Sequence, residues 1–307
     1  EIMFHTGVAA RAIDAVDKLI ARVPGRLSLV AIAGGTLFSS VSGSTIANTA
    51  MLGSTLLPEM YKRGYKPEIA IGPIVAVGGI AMLIPPSALA VLLGSVARIP
   101  ISDLLLASII PALILAALFY VYVTIRCWLD PTIAPTYDIS GMTWWQRIKP
   151  FLIYVLPLIS IFVVVVGSIV AGIATPTESA ALGTVSSLII SATYRSLRWS
   201  NFIESVRQTV RFSVMILFII CGSITFSQIL AFSEASGGLT DIILNSELAP
   251  ILILLGMLAI LMVLGCFMDQ VSMIMITMPL YMPVVEQLGY NVVWFGVLTL
   301  MIMEISL

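Results

Sequence analysis

The stretch from Leu27 to Ser87 constrains this chain more than any other part of it. It reads LSLVAIAGGTLFSSVSGSTIANTAMLGSTLLPEMYKRGYKPEIAIGPIVAVGGIAMLIPPS. A helix needs about 20 apolar residues to cross about 30 Å of hydrocarbon. Leu27 to Val41 and Thr49 to Pro58 each fall short, and the run between them, Ser42-Gly43-Ser44-Thr45-Ile46-Ala47-Asn48, is small and largely polar. Two half-length apolar segments joined in this way predict a re-entrant hairpin. Irregular backbone at membrane depth is tolerated only where it is buried in protein or lines a wet cavity. The next apolar segment, Ile69 to Leu93, is long enough to span but contains Gly78-Gly79 and Pro85-Pro86-Ser87. That pattern predicts a broken helix whose freed backbone groups face a midplane site, the mark of a secondary transporter.

Composition agrees. The 307 residues are 59% hydrophobic and 10% charged, whereas a soluble domain carries roughly 25% charged residues. The chain is therefore expected to be a single polytopic membrane domain over 1–307. Cys127, Cys221 and Cys266 lie far apart, in or beside apolar segments, with no disulfide or metal spacing. His5 is the only histidine, which excludes a His-Glu-x-x-His zinc site, and no Gly-x-x-x-x-Gly-Lys loop is present to bind ATP. No paired nucleophile and base stands out, so no enzyme is expected, and nothing points to nucleic acid. Glu1 is not methionine and Leu307 falls inside an apolar run, so the chain reads as an internal piece of a longer one.

Arg11 to Arg22 carries Ile13, Val16, Leu19 and Ile20 at helical spacing, which predicts an amphipathic helix lying at the membrane surface. Full spans are expected over Leu104–Ile125, Phe151–Val170 and Phe212–Phe232, with Ser179–Tyr194 returning after Gly172-Ile173-Ala174-Thr175-Pro176-Thr177-Glu178. A second amphipathic piece lies among Arg195, Arg198, Arg207 and Arg211. Pro250–Gly265 and Met273–Pro283 are again short apolar halves, around Cys266-Phe267-Met268-Asp269-Gln270-Val271-Ser272. Trp144-Trp145 suit the interface belt. With both hairpins re-entrant, the alternating loops collect every Lys and Arg except Arg98, 14 of the 15, on one side. The positive-inside rule makes that side cytoplasmic.

An internal repeat emerges. Pro58 is followed by Gly64-Tyr65 and Pro283 by Gly289-Tyr290, at the same spacing and 225 positions apart. In that register Ser44 at the first tip corresponds to Asp269 at the second. The two hairpins enter from opposite faces, which predicts inverted repeats. The first repeat core runs over 27–126, a connecting region over 127–211, and the second repeat over 212–307.

These motifs resemble the large membrane subunit of tripartite ATP-independent periplasmic (TRAP) transporters. The likeness rests on Ser42-Gly43-Ser44 with Met51-Leu52-Gly53, Leu57-Pro58-Glu59-Met60 with Arg63-Gly64-Tyr65, Ile84-Pro85-Pro86-Ser87, and Ala174-Thr175-Pro176-Thr177-Glu178. It continues through Met278-Pro279, Pro283, Gly289, Trp294-Phe295-Gly296 and Glu304, covering nearly the whole chain. The resemblance implies an all-α elevator-type permease in a bacterial inner membrane, coupled to sodium and importing organic acids such as C4-dicarboxylates or sialic acids. It also implies two partners beyond the surrounding lipid: a periplasmic substrate-binding protein and a small four-helix membrane subunit. A divalent-anion/sodium symporter working alone, and a passive pore, remain the alternatives.

Ser42, Ser44, Thr45 and Asn48 supply the oxygen ligands that hard cations prefer, although small hydroxyls also let helices pack closely. The expected substrate and ion site comprises Ser42, Gly43, Ser44, Thr45, Asn48, Gly78, Gly79, Pro85, Pro86, Ser87, Asp269, Gln270 and Ser272, with sodium at Ser42, Ser44, Asn48 and Gly79. Asp269 is an intramembrane carboxylate, a functional candidate by default, and equally a helix N-cap. Thr175, Pro176, Thr177 and Glu178 are expected to be structural, with Glu178 suited to a helix dipole. Glu304 either fixes the second broken helix or joins an ion site. The repeat register places a counterpart of Pro85-Pro86 at positions 310 and 311. Sequencing of the parent gene through this region should find a double proline within two residues of those positions; an unbroken apolar helix there would refute the register.

Overall fold

The computed structural model describes residues 8–19, 23, 25–43, 45–135, 144–195, 197–232 and 248–306, and every regular element among them is helical. Helices α1 (Val8–Leu19), α2 (Arg26–Ser42), α3 (Thr45–Lys62), α4 (Pro67–Ile80) and α5 (Ala88–Ala97) lead into the long α6 (Ile101–Leu129). A short 3₁₀ turn (Pro131–Ile133) follows. Then come α7 (Trp144–Pro150), a π-turn (Phe151–Val155), α8 (Leu156–Val170), α9 (Pro176–Thr193), α10 (Trp199–Phe232), α11 (Pro250–Gly265), α12 (Gln270–Gln287) and α13 (Val292–Ile305). The chain forms two compact units, Glu1–Ser87 with Ile109–Val206, and Ala88–Ser108 with Arg207–Leu307. Among the described residues, three helices are long and apolar enough to cross a membrane: Ile101–Leu129, Ile148–Val170 and Trp199–Phe226.

In the first unit, α2 and α3 form a helical hairpin and α4 packs against both. Small residues set how closely they approach. A Cβ on Gly35 of α2 would lie 2.2 Å from Val77 Cγ1 of α4 and 2.7 Å from Leu52 Cδ1 of α3. A Cβ on Gly78 would lie 1.9 Å from Thr49 Oγ1. Close backbone approach of this kind is how helices associate where lipid removes the hydrophobic driving force between them. The hairpin bend is shorter than the polar run suggested. Gly43 ends α2 in the left-handed conformation, with its N–H on Ser39 O, and Thr45 already begins α3.

The turn from α3 to α4 explains the Gly-Tyr pair. Gly64 (φ +80°) donates to Tyr61 O and Tyr65 N–H donates to Met60 O, the two bonds of a Schellman cap. The Tyr65 side chain then turns back to the start of the hairpin, where its hydroxyl accepts the Leu27 N–H at 3.3 Å. Nearby, Ser28 Oγ donates to Ile69 O at 2.6 Å, tying α2 to α4.

Helix α1 differs from expectation. Its apolar face, Ile13 and Val16 included, is buried because α1 packs on α2 and on the π-turn. Protein covers that face instead of lipid. Ile20 lies outside the described residues. Arg26, 2% exposed, anchors the corner: its Nε pairs with Asp17 Oδ1 at 3.1 Å and its Nη2 donates to Asp17 O. The second contact satisfies one of the carbonyls that a helix C-terminus leaves open. Farther on, α8 and α9 meet through Ser168 and Ser179, whose hydroxyls lie 2.8 Å apart. The amphipathic piece and the span expected after Arg195 are one helix, α10, since no Gly or Pro interrupts it before Gly222.

The second unit repeats the pattern in the register read from the sequence. Helices α3 and α12 are both 18 residues long and α4 and α13 both 14, and each pair starts 225 positions apart. Gly289 (φ +73°) donates to Glu286 O and Tyr290 N–H to Val285 O, the counterparts of the bonds around Gly64. Pro58 and Pro283 occupy matching interior positions. Helices α11 and α12 form the hairpin, and α13 meets α11 where a Cβ on Gly265 would lie 1.9 Å from Ser306 Oγ. Helix α5 packs on α12.

These contacts set an expected outcome. Gly35→Val should destabilise the protein by about 1–3 kcal/mol, the usual cost of overpacking. Gly53→Ala, where nothing lies within 4 Å, should be neutral or slightly stabilising. Thermal unfolding of purified protein in detergent measures both; equal midpoints for the two variants would refute the close-packing account.

Candidate functional site

Of the residues predicted around the first hairpin tip, Thr45 and Asn48 meet the C-terminal end of α4. The geometry follows from how that helix stops. Ala81 N–H bonds Gly78 O at 3.2 Å and Met82 N–H bonds Gly79 O at 3.3 Å, so the last turn tightens from i→i−4 spacing. Val77 O, the acceptor that Ala81 would otherwise use, is taken by Asn48 Nδ2 at 3.3 Å. The same amide donates to Ser39 Oγ at 2.7 Å and shares a contact with Gly35 O at 3.3 Å. Ser39 Oγ in turn donates to Gly35 O at 2.7 Å. Asn48 thus bridges α2, α3 and α4 while fully buried.

This environment also orients the amide. Carbonyl oxygens only accept, so the NH₂ end must face Gly35 O and Val77 O. Asn48 Oδ1 is left on the other side, buried and without a hydrogen-bond partner among the described residues, and Thr45 Oγ1 one turn earlier is in the same condition. A buried oxygen without a partner costs roughly 1–3 kcal/mol. Two of them in the first turn of α3, beside the carbonyl end of α4, make a setting that a cation would satisfy. The negative end of the α4 dipole favours positive charge there.

The other predicted residues fall as follows. Gly78 is the contact point between α3 and α4; the Gly78 and Gly79 carbonyls each accept one turn hydrogen bond and keep a second lone pair. Pro85, Pro86 and Ser87 lie in the segment between α4 and α5, with the Pro85–Pro86 bond cis and Ser87 buried. Ser44 and the side chain of Ser42 lie outside the described residues.

In the second unit, Asp269 N-caps α12: its Oδ2 accepts the Ser272 N–H at 3.0 Å and its Oδ1 accepts the Ser272 hydroxyl at 2.5 Å. Gln270, the counterpart of Thr45, has a buried Nε2 without a hydrogen-bond partner among the described residues. Glu304, the counterpart of Gly79, sits near the end of α13 with both carboxylate oxygens buried.

Thr175 and Glu178 form a capping box at the start of α9. The Thr175 N–H and hydroxyl both reach Glu178 Oε2 at 2.8 Å. These bonds hold the Glu178 carboxyl below its ordinary range. The lowered value means that the cap's contribution is present above the ordinary carboxylate range and is lost as pH falls through the folded-state value.

The residues that the sequence pattern did not single out are Gly35, Ser39 and Val77. Ser39 and Gly35 stand four residues apart on α2, a spacing that puts them on one helix face, but only the packing of α4 shows that this face meets Asn48.

A strongly apolar chain whose regular elements among the described residues are all helical, with three helices there long and apolar enough to cross a membrane, a twice-used hairpin and buried oxygens at a helix break, is a helical membrane protein with a candidate ion site. The model of the tripartite ATP-independent periplasmic transporter DctM component matches residues 1–307, and the chain belongs to that family. It is 27% identical over 304 residues to the C4-dicarboxylate TRAP transporter large permease protein DctM of Pseudomonas aeruginosa, covering 98% of this chain and 70% of that protein. It is 29% identical to the ectoine/5-hydroxyectoine TRAP transporter large permease protein UehC of Ruegeria pomeroyi, covering 96% and 68%. A third relative, the isethionate TRAP transporter permease protein DctMQ of Oleidesulfovibrio alaskensis, is 29% identical, and the chain covers 46% of its length.

Asn48→Ala removes the donor to Val77 O and to Ser39 Oγ together. The variant should lose roughly 1–3 kcal/mol of stability, and Ser39→Ala, which leaves Asn48 its two carbonyl acceptors, should lose less. Thermal unfolding of the two variants side by side tests the order; the reverse order would refute Asn48 as the bridge.

Proposed function

We propose that the chain is the membrane core of a sodium-coupled importer that receives small organic anions from a periplasmic binding protein. Its setting is a bacterial inner membrane, beside a small membrane subunit. The observation that carries the ion part is the pair of buried, unpartnered oxygens, Asn48 Oδ1 and Thr45 Oγ1, at the carbonyl end of α4. Sodium is a hard cation, and hydroxyl, amide and main-chain carbonyl oxygens are the ligands such ions take. Ser42, Ser44 and the Gly79 carbonyl complete the proposed first site. Asp269, Gln270, Ser272 and Glu304 are the proposed oxygen- and amide-bearing set of the second repeat.

Family membership supports the partners and the chemistry of the substrate. The named substrates of the relatives are C4-dicarboxylates, ectoines and isethionate. They differ in shape, but each carries a carboxylate or sulfonate. The common demand is recognition of an anionic group, and the particular acid is set by other contacts. A membrane potential supplies about 2.3 kcal/mol per charge per 100 mV, so co-transport of sodium in excess of the anion's charge would accumulate it.

The matched helix pairs at a 225-residue offset and the one-sided distribution of basic residues support inverted repeats with re-entrant hairpins, moving as an elevator.

The test is uptake into proteoliposomes of the complete permease with its small subunit and binding protein. Uptake of a C4-dicarboxylate, an ectoine or isethionate should require both an inward sodium gradient and the binding protein. Asn48→Ala or Thr45→Val should raise the sodium concentration needed for half-maximal rate. Uptake without the binding protein would favour a symporter that works alone, and flux indifferent to sodium would refute the coupling.

A further inference from the structure

The helix that begins at Ile148 is not a regular α-helix. Residues Phe151–Val155 form a π-turn, closed by Leu156 N–H on Phe151 O, and proline stands at both Pro150 and Pro157. Pro157 has no N–H, so the carbonyl four residues before it, Ile153 O, loses its α-helical donor. In an apolar surrounding that carbonyl must be satisfied by protein. The donor comes from another helix end: the hydroxyl of Tyr194, just past α9, donates to Ile153 O. The rings of Tyr154 and Tyr194 lie against each other with centroids 5.7 Å apart.

The π-turn also has a load to carry. Helix α1 packs against it, with Ala15 of α1 and Val155 of the turn both fully buried. Through the Asp17–Arg26 pair, α1 is fastened to the first residue of α2, the helix that leads to the hairpin bend. One continuous path therefore runs from the Tyr194 hydroxyl through the π-turn and α1 to the α2–α3 hairpin, all within one unit.

We propose that Tyr194 is a positioning residue: its hydroxyl fixes the π-turn that seats α1, and α1 holds the base of the hairpin carrying Asn48. Its consequence for transport rests on the transport reading above; its consequence for the structure does not. Extra-residue turns inside helices recur at functional sites, and here the turn persists because a side chain from outside the helix supplies the missing donor. Tyr194 lies outside the proposed ion-binding set, and its effect is on rate through the hairpin's seating.

The experiment uses the complete permease, with Tyr194→Phe to remove only the hydroxyl and Tyr154→Phe as the ring-pair control. Backbone hydrogen exchange is followed by mass spectrometry, and uptake is measured in proteoliposomes. In Tyr194→Phe, exchange over 151–158 and over 8–19 should rise together by about fivefold, the size expected for loss of one hydrogen bond. Maximal uptake should fall by a similar factor with the half-saturating sodium concentration unchanged. Tyr154→Phe should alter none of these. Exchange over 8–19 that stays at the unsubstituted level while 151–158 rises would overturn the proposal, because α1 would then not depend on the turn. Sodium-driven uptake with unchanged exchange would overturn it too, while leaving the transport reading intact. Raised exchange in both segments, in a protein that shows no sodium-driven uptake even unsubstituted, would support the positioning role and refute the transport reading alone.

Discussion

The amide of Asn48 joins three helices because α4 ends early. Tightening of its last turn frees Val77 O, and a freed carbonyl in an apolar interior has no water to turn to. Asn48 answers with one NH₂ group that also reaches Ser39 and Gly35. That arrangement requires α2 and α4 to approach closely, which the missing side chain of Gly35 permits. The stop of the broken helix, the contact of the hairpin with it and the orientation of Asn48 are one structural event. The consequence is chemical: with the NH₂ end committed, Oδ1 is left facing away, buried and without a hydrogen-bond partner among the described residues.

Other breaks in the chain are closed by the same economy of backbone partners. Gly43 N–H returns to Ser39 O. Asp269 with Ser272, and Thr175 with Glu178, close the starts of α12 and α9. Tyr194 serves Ile153 O. Against this background the unpartnered atoms stand out. Thr45 and Gln270, at equivalent positions of the two repeats, each open a helix with a buried polar atom that has no hydrogen-bond partner among the described residues. At both positions the proposed ion or substrate group would have something to replace. The capped carboxylate of Asp269, which has hydrogen-bond donors of its own, depends less on one.

Family membership and the geometry bear on different parts of the function. The relatives' names span dicarboxylates, ectoines and isethionate, so a shared chain plan serves unlike substrates. Fold and substrate specificity are separable in this way whenever the scaffold is set by helix ends and the site by a few side-chain groups.

How much was legible beforehand follows from the range of each interaction. Half-length apolar segments, the double glycine, the prolines and the Pro58/Pro283 register are local or periodic features, and they sufficed to place the two helix-turn-helix pairs and the helix break after Ile80. Capping by Thr175–Glu178 and Asp269–Ser272 was legible for the same reason, since each cap spans only three residues. The covering of α1 was not, because an amphipathic pattern is the same whether lipid or protein meets its apolar face. Nor was the meeting of Asn48 with Val77, 29 residues away, or of Tyr194 with Ile153, 41 residues away. Sequence determined where the helices must break, since proline and glycine act on their own backbone. Only the tertiary structure decided which side chain satisfies each broken end, because that depends on which helices come within about 3 Å of it.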